Sequence, residues 1–198
     1  MIDGPKIVQQ LQAMRDGGYL ADAIMREAVK QLKAAEPRYN FVGVYMLNPN
    51  ENMLWLHNYS GEPTDHARIE VGVGVCGTAV AEKSNQNVPD VTKVENYLSC
   101  SPRTKSELVV LLRSGEEIFG QIDIDAKEIN AFKQDDQKAI EMIGEKISEI
   151  IVRERDEEDE LRRLQELHRQ RQQQQHQQQK HEQKEQQLLA QQEQQQQS

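Results

Sequence analysis

Long apolar runs are missing from this chain of 198 residues, and with them any stretch near the roughly 20 residues that cross a bilayer. Met1–Tyr19 has no apolar core of the kind a secretory leader carries, so the protein is expected in the cytoplasm with no membrane partner. Cysteine is scarce. Two residues, Cys76 and Cys100, are too few for a disulfide scaffold and should rest as thiols in that compartment. Hydrophobic residues are 36% and mean hydropathy is −0.82, so part of the chain is expected not to pack. Positive charge is short as well. The net charge is −9, and −7 of it falls before Ile151, where 16 Lys and Arg face 23 Asp and Glu. An acidic folded part argues against nucleic acid as a partner, because the phosphate backbone demands clustered Lys and Arg.

What is present follows helix and strand periods in turn. Ile7, Val8, Leu11 and Met14 predict a short amphipathic helix closed by Gly17-Gly18, and Leu20, Ile24, Ala28, Leu32 and Ala35 predict a second one from Leu20 to Ala35. Asn40–Leu47 and Met53–Tyr59 read as strands around the loop Asn48–Asn52, with Arg68–Val71 a short apolar piece after them. Small residues from Gly74 to Glu82 suit a helix packed tightly on a sheet. Val88–Val91 reads as a brief strand, Thr92–Ser106 as an irregular loop, and Glu107–Arg113 and Glu117–Asp125 as a strand pair. Ile140, Ile143, Ile147, Ile150 and Ile151 mark one face of a last helix. The order predicts an α+β fold: a central antiparallel sheet of about five or six strands flanked by helices, over residues 1–151.

From 152 to 198 the composition changes. Charged residues dominate to Arg163, with Glu158→Arg162 and Asp159→Arg163 spaced for ion pairs, and Leu161, Leu164 and Leu167 form one short apolar stripe. Beyond them about half the residues are Gln. Such a tract continues as a lone helix or stays disordered, and no heptad seam is sustained along it.

The densest chemistry lies between Gly72 and Asp125. That span holds both thiols, 24 positions apart, with Glu107, Asp123, Asp125 and a run of glycines, which suggests a ligand pocket. Asp123 and Asp125 are two apart on a strand and share a side, where they repel unless a ligand ammonium lies between them. Their neighbourhood should raise the pKa of Glu107. A solvated edge-strand pair is the plainer alternative for the two aspartates. A buried small hydrophobe is the plainer one for each cysteine, less so for Cys100 in its polar loop. His66 has no second His or Cys at ligand spacing, so no metal centre is expected. The G-V-G-V run lacks the pattern of a dinucleotide fingerprint.

F-V-G-V-Y at Phe41–Tyr45, R-I-E-V-G-V-G-V-C-G-T-A-V-A at Arg68–Ala81 and V-P-D-V at Val88–Val91 together resemble the GAF domain. With Y-L-S-C-S at Tyr97–Ser101, S-E-L-V-V at Ser106–Val110 and G-Q-I-D-I-D at Gly120–Asp125, the chain is similar to the free methionine-(R)-sulfoxide reductases built on that fold. The resemblance implies a GAF fold over about residues 20–150 and a catalytic thiol at Cys100. It assigns carboxylates that hold an amino acid to Glu107, Asp123 and Asp125, and a pocket wall to Phe41 and Tyr45, with Phe41 where the family has Trp. Glu107, protonated, would donate to the sulfoxide oxygen. The usual resolving cysteine, ten residues before Cys76, is replaced by His66, which leaves Cys76 or an external thiol to resolve a sulfenic acid on Cys100. The resemblance further implies no bound cofactor, thioredoxin or another thiol reductant as electron donor, and an amino-acid-like ligand; a homodimer is compatible with it. A GAF module that binds a small ligand without turnover is the competing reading.

Overall fold

The computed structural model describes residues 2–98 and 101–196, with side chains described to residue 180. Asp3 starts the first helix, α1 (Gly4–Asp16), by accepting from Lys6 N at 3.1 Å, and Pro5 suits the first turn, where no amide is needed. The helix therefore begins three residues earlier than its apolar spacing predicts. Gly18, at φ +87, lets the chain leave while Tyr19 N returns to Met14 O. Next come α2 (Ala21–Ala35), β1 (Tyr39–Asn48), β2 (Met53–Gly61), β3 (Arg68–Glu70) and α3 (Gly74–Ala81). β4 (Gln86–Val88), a 3₁₀ turn (Val91–Lys93), β5 (Ser106–Ser114), β6 (Glu117–Ala126) and α4 (Gln134–Gln196) complete the order.

The six strands form one sheet, β3-β2-β1-β6-β5-β4, with every neighbouring pair antiparallel. The expected strand at Val88–Val91 is displaced. Pro89 has no amide to give a ladder, and Asp90 accepts from Thr92 N at 3.1 Å, so pairing stops at Val88 and a 3₁₀ turn begins.

Residue parity divides the sheet into two faces. Val42, Val44, Leu108, Val110, Leu112, Ile122 and Ile124 point to one side and form a single core with Ile7 and Leu11 of α1, Ile24 and Leu32 of α2, and Ile140, Ile143 and Ile147 of α4. The two long apolar helices thus pack on the same face, as their stripes predict. Phe41, Tyr45, Val109 and Leu111 point the other way, toward Cys76, Ala79 and Val80 of α3. That second face carries the chemistry.

The chain divides into two compact units, residues 1–154 and 155–198. Residues 155–180 are exposed throughout and helical, including Leu161, Leu164 and Leu167, and the helix continues to Gln196, so the glutamine tract takes the helical alternative. Arg162 pairs with Asp159, three residues back, where the spacing predicts Glu158. Among the described residues no helix is long and apolar enough to cross a membrane.

Candidate functional site

The site grows from the register of three adjacent strands. Asp125 lies between Phe41 of β1 and Glu107 of β5, Asp123 between Gly43 and Val109, and Gln121 between Tyr45 and Leu111. Side chains two apart share a side, so Glu107, Asp125, Asp123 and Gln121 stand on the α3 face together. All four are buried: Gln121 and Asp123 at 0%, Asp125 at 1% and Glu107 at 4% exposure. The solvated-edge alternative for the two aspartates is thereby excluded, because β6 lies inside the sheet.

Above this row, α3 brings down Cys76. Gly74 takes φ +65 at the entry to the helix, a conformation costly for a side chain with Cβ. Gly77 lets the helix approach until a Cβ there would lie 2.3 Å from Glu70 O. The result is that Cys76 Sγ donates to Glu107 Oε1 at 3.8 Å. Cys76 and Glu107 also line a narrow cavity of about 10 Å³, walled by Ile69, Gly74, Val75 and Leu98.

The electrostatics are those of carboxyls removed from water without cations. Burial first, then the charges of Asp123 and Asp125, raise the pKa of Glu107 well above the carboxylate range. Burial pushes Asp123 up to about 7, and burial followed by the Asp123 charge raises Asp125 well above its usual value. The four oxygens of Asp123 and Asp125 make no hydrogen bond of standard geometry, only weaker contacts of Asp123 with Cys76 and Glu107 and of Asp125 with Thr104, and Nε2 and Oε1 of Gln121 have no partner. Buried polar atoms left in this state are rare and costly. One ligand atom each from Cys76, Glu107 and Asp123 lies within 4.8 Å of the others, so this triad, with no contribution from His66, is also the donor set a metal ion could use.

The aromatic residues are placed by the same strands. The Phe41 ring lies over Gly43, where a Cβ would stand 2.7 Å from its Cε1 and Cζ, and it stacks on Tyr59 with centroids 5.5 Å apart. Phe41 therefore adjoins Asp125 and roofs the empty position opposite Asp123. Tyr45 is buried one position further on, beside Gln121, and its Oη donates to His66 O at 2.9 Å. This ties the segment carrying His66 to the site wall. Cys100 lies outside the described residues. Two members of the site, Gly43 and Gln121, were not singled out by sequence reasoning. The signal for Gln121 is its spacing, two residues before Asp123 on the same strand, and for Gly43 its place in F-V-G-V-Y with nothing to fill the sheet face.

No family model matches the chain. It is 38% identical over 112 residues to GAF domain-containing protein A of Dictyostelium discoideum, covering 56% of this chain and 70% of that protein. Among solved structures it is similar to the type II free methionine-R-sulfoxide reductase of Thermoplasma acidophilum, at 36% identity and a TM-score of 0.63, covering 66% of this chain and 92% of that one. It is also similar to fRMsr of Staphylococcus aureus in complex with substrate, at 30% identity and a TM-score of 0.68, with 76% and 97% covered.

Proposed function

The chain belongs to the GAF-domain family of the free methionine-(R)-sulfoxide reductases, and we propose from this that it reduces free methionine-(R)-sulfoxide to methionine. The observation that carries the reading is the buried pair Asp123 and Asp125 beside Cys76 and Glu107, with no cationic side chain among the described residues paired to either carboxylate. A free amino acid has the one group these carboxylates lack, an α-ammonium with three donors. Its arrival would lower both aspartate pKa values and leave them ionised around it. A methionine residue inside a protein has an amide at that place, which cannot supply the charge, so the pair would select the free amino acid.

In the proposed reaction the Cys100 thiolate attacks the sulfoxide sulfur. Glu107, kept protonated by burial and by its two anionic neighbours, donates to the sulfoxide oxygen and makes the sulfur more electrophilic. The substrate sulfur gains two electrons, the oxygen passes to Cys100 as a sulfenic acid, and methionine leaves. Attack on that sulfenic acid by the thiol of Cys76, or of an external reductant, releases water and forms a disulfide. A dithiol of the thioredoxin class then returns both sulfurs to thiols and is itself oxidised. His66, where related enzymes have a third cysteine, removes one resolving route and leaves these two.

The test is methionine formation by the purified full chain in excess dithiothreitol, where no resolving cysteine is needed. Wild type should turn over and Cys100→Ser should not, because a hydroxyl is a far weaker nucleophile and is not ionised near neutral pH. In a separate reaction without dithiothreitol, Cys76→Ser should keep the first turnover and leave a sulfenic acid at Cys100 that a dimedone probe traps. Wild-type protein that binds methionine but forms none from the sulfoxide would instead be a ligand-binding GAF module.

A further inference from the structure

Of the four buried residues in the row, Gln121 is the one that the proposed reaction does not use. It lies in β6 between Tyr45 of β1 and Leu111 of β5, and it is 0% exposed. Neither its Nε2 nor its Oε1 has a hydrogen-bond partner. Its neighbours offer little to an amide. Leu111 belongs to the apolar cluster that includes Ala79 and Val80 of α3, and the Tyr45 hydroxyl donates to His66 O at 2.9 Å. A side chain that only filled this place would serve better as an apolar one, because a buried amide without hydrogen bonds is costly.

The row has a chemical order along β6. Glu107 and Asp125 face each other at one end, Asp123 follows two residues back, and Gln121 two residues further. In the proposed reaction Glu107 commits its proton to the sulfoxide oxygen, and the aspartates hold the α-ammonium. A free amino acid carries one more charged group on the same carbon, the α-carboxylate, which the two aspartates repel. Gln121 can receive it, since Nε2 brings two N–H donors and no charge. The step from Asp123 to Gln121 is about 7 Å along the strand, a gap that the amide side chain and a hydrogen bond of about 2.9 Å can bridge. A cation here would serve worse. Lys or Arg two residues from Asp123 on the same face would pair with that carboxylate and take the place of the ammonium, whereas a neutral amide leaves both aspartates to the ligand.

We propose that Gln121 is a specificity-determining residue of this site, its Nε2 donating to the α-carboxylate of a free amino acid whose ammonium lies at Asp123 and Asp125. The proposal rests on the reading of those two aspartates as an ammonium clamp. It adds a selection that the clamp lacks. The first residue of a peptide also has an α-ammonium and would satisfy the aspartates. It carries a neutral amide in place of the carboxylate, however, and would make only the weaker, uncharged hydrogen bond to Gln121. Free methionine sulfoxide is thereby separated from methionine sulfoxide at the N-terminus of a peptide.

The experiment compares two ligands, L-methionine and L-methioninol, which keeps the ammonium and has a hydroxymethyl group in place of the carboxylate. Binding is measured by isothermal titration calorimetry on full-length wild type, Gln121→Met and Gln121→Glu, alongside methionine formation by wild type in excess dithiothreitol. Wild type should bind methionine about tenfold tighter than methioninol, the difference between a charge-assisted and a neutral hydrogen bond. Gln121→Met keeps the volume and removes the amide. It should bind methionine about tenfold weaker and methioninol within about twofold of wild type, so that the discrimination disappears. Gln121→Glu should bind methionine more weakly still, because it sets an anion against the carboxylate. The wild-type comparison needs no variant, and equal affinity for the two ligands overturns the proposal. So does a folded Gln121→Met chain that still prefers methionine about tenfold, or one that loses both ligands alike. Methionine formation by wild type alongside any of these results keeps the reductase reading and removes Gln121 from it. A preference for methionine that vanishes in Gln121→Met, with no methionine formed by wild type, defeats the reductase reading and leaves Gln121 as the carboxylate contact of an amino-acid-binding module.

Discussion

Asp123 shows how one residue can cost stability and provide binding. Its folded pKa is about 7 against an ordinary 3.8, so between those values the folded chain holds more protons than the unfolded one. Stability of the ligand-free protein therefore falls as pH rises through that window, and Asp125 and Glu107 act in the same direction. The thermal midpoint without ligand should drop between about pH 5 and 8. The increase in midpoint on adding methionine should be larger at the upper end, where the ammonium meets two ionised carboxylates. A midpoint flat with pH, and an equal methionine effect at both ends, would contradict this. Asp123→Asn separates the two roles. At pH 8 it should stabilise the ligand-free protein, by something on the order of 1–4 kcal/mol, because a neutral amide replaces a buried unpaired charge. The same change should weaken substrate binding by about 1–3 kcal/mol, read as a rise in KM. Chemical denaturation and steady-state kinetics on one preparation measure both.

At the scale of elements, α3 is the part whose position matters most for the thiol–carboxylate contact. It has no side-chain cap and spans only Gly74–Ala81, so packing against β3 and the sheet holds it more than its own propensity does. Gly77→Ala would drive a Cβ into Glu70 O and Gly72 N, both backbone atoms that cannot swing away. The expected loss is at least about 1–3 kcal/mol by denaturant titration. The rate of Cys76 alkylation should rise as its sulfur leaves Glu107. An alanine variant as stable as wild type would mean that α3 is free to shift. Element boundaries were less legible than element types. α1 begins early because of the Asp3 cap, and the strand expected at Val88–Val91 moves because Pro89 interrupts the ladder. Both displacements have a local side-chain cause, which hydropathy patterns do not register.

Across the whole molecule, the apolar surface that sustains the fold lies in residues 1–154, while residues 155–180 are exposed along their length. Removing the chain from Glu166 onward takes away almost no buried apolar area, so the thermal midpoint of residues 1–165 should stay within about 2 °C of the full chain. A larger drop, measured by scanning fluorimetry at several protein concentrations, would show that Leu167 and the segment beyond it are covered in solution. The same comparison tests whether a homodimer depends on the tail, because a dimer held there would lose its concentration dependence with it.

The amino-acid sequence by itself determined the class of fold and the composition of the site. Period-2 and period-3.6 spacing is a local property of the chain, so the alternation through Glu107–Arg113 and Glu117–Asp125 and the isoleucine stripe from Ile140 to Ile150 could be read without coordinates. The side shared by Asp123 and Asp125 follows from strand geometry in the same way. Only the tertiary structure decided which side of the sheet that was, because both faces are buried and parity cannot tell a helix-covered core from a ligand face. It also decided that Cys76, 31 residues before Glu107, meets that carboxylate, and that Glu62 meets Ser101 across 39 residues. These are contacts between elements, set by how α3 and the turn after β2 close over the sheet. No pattern confined to a few neighbouring residues contains that information.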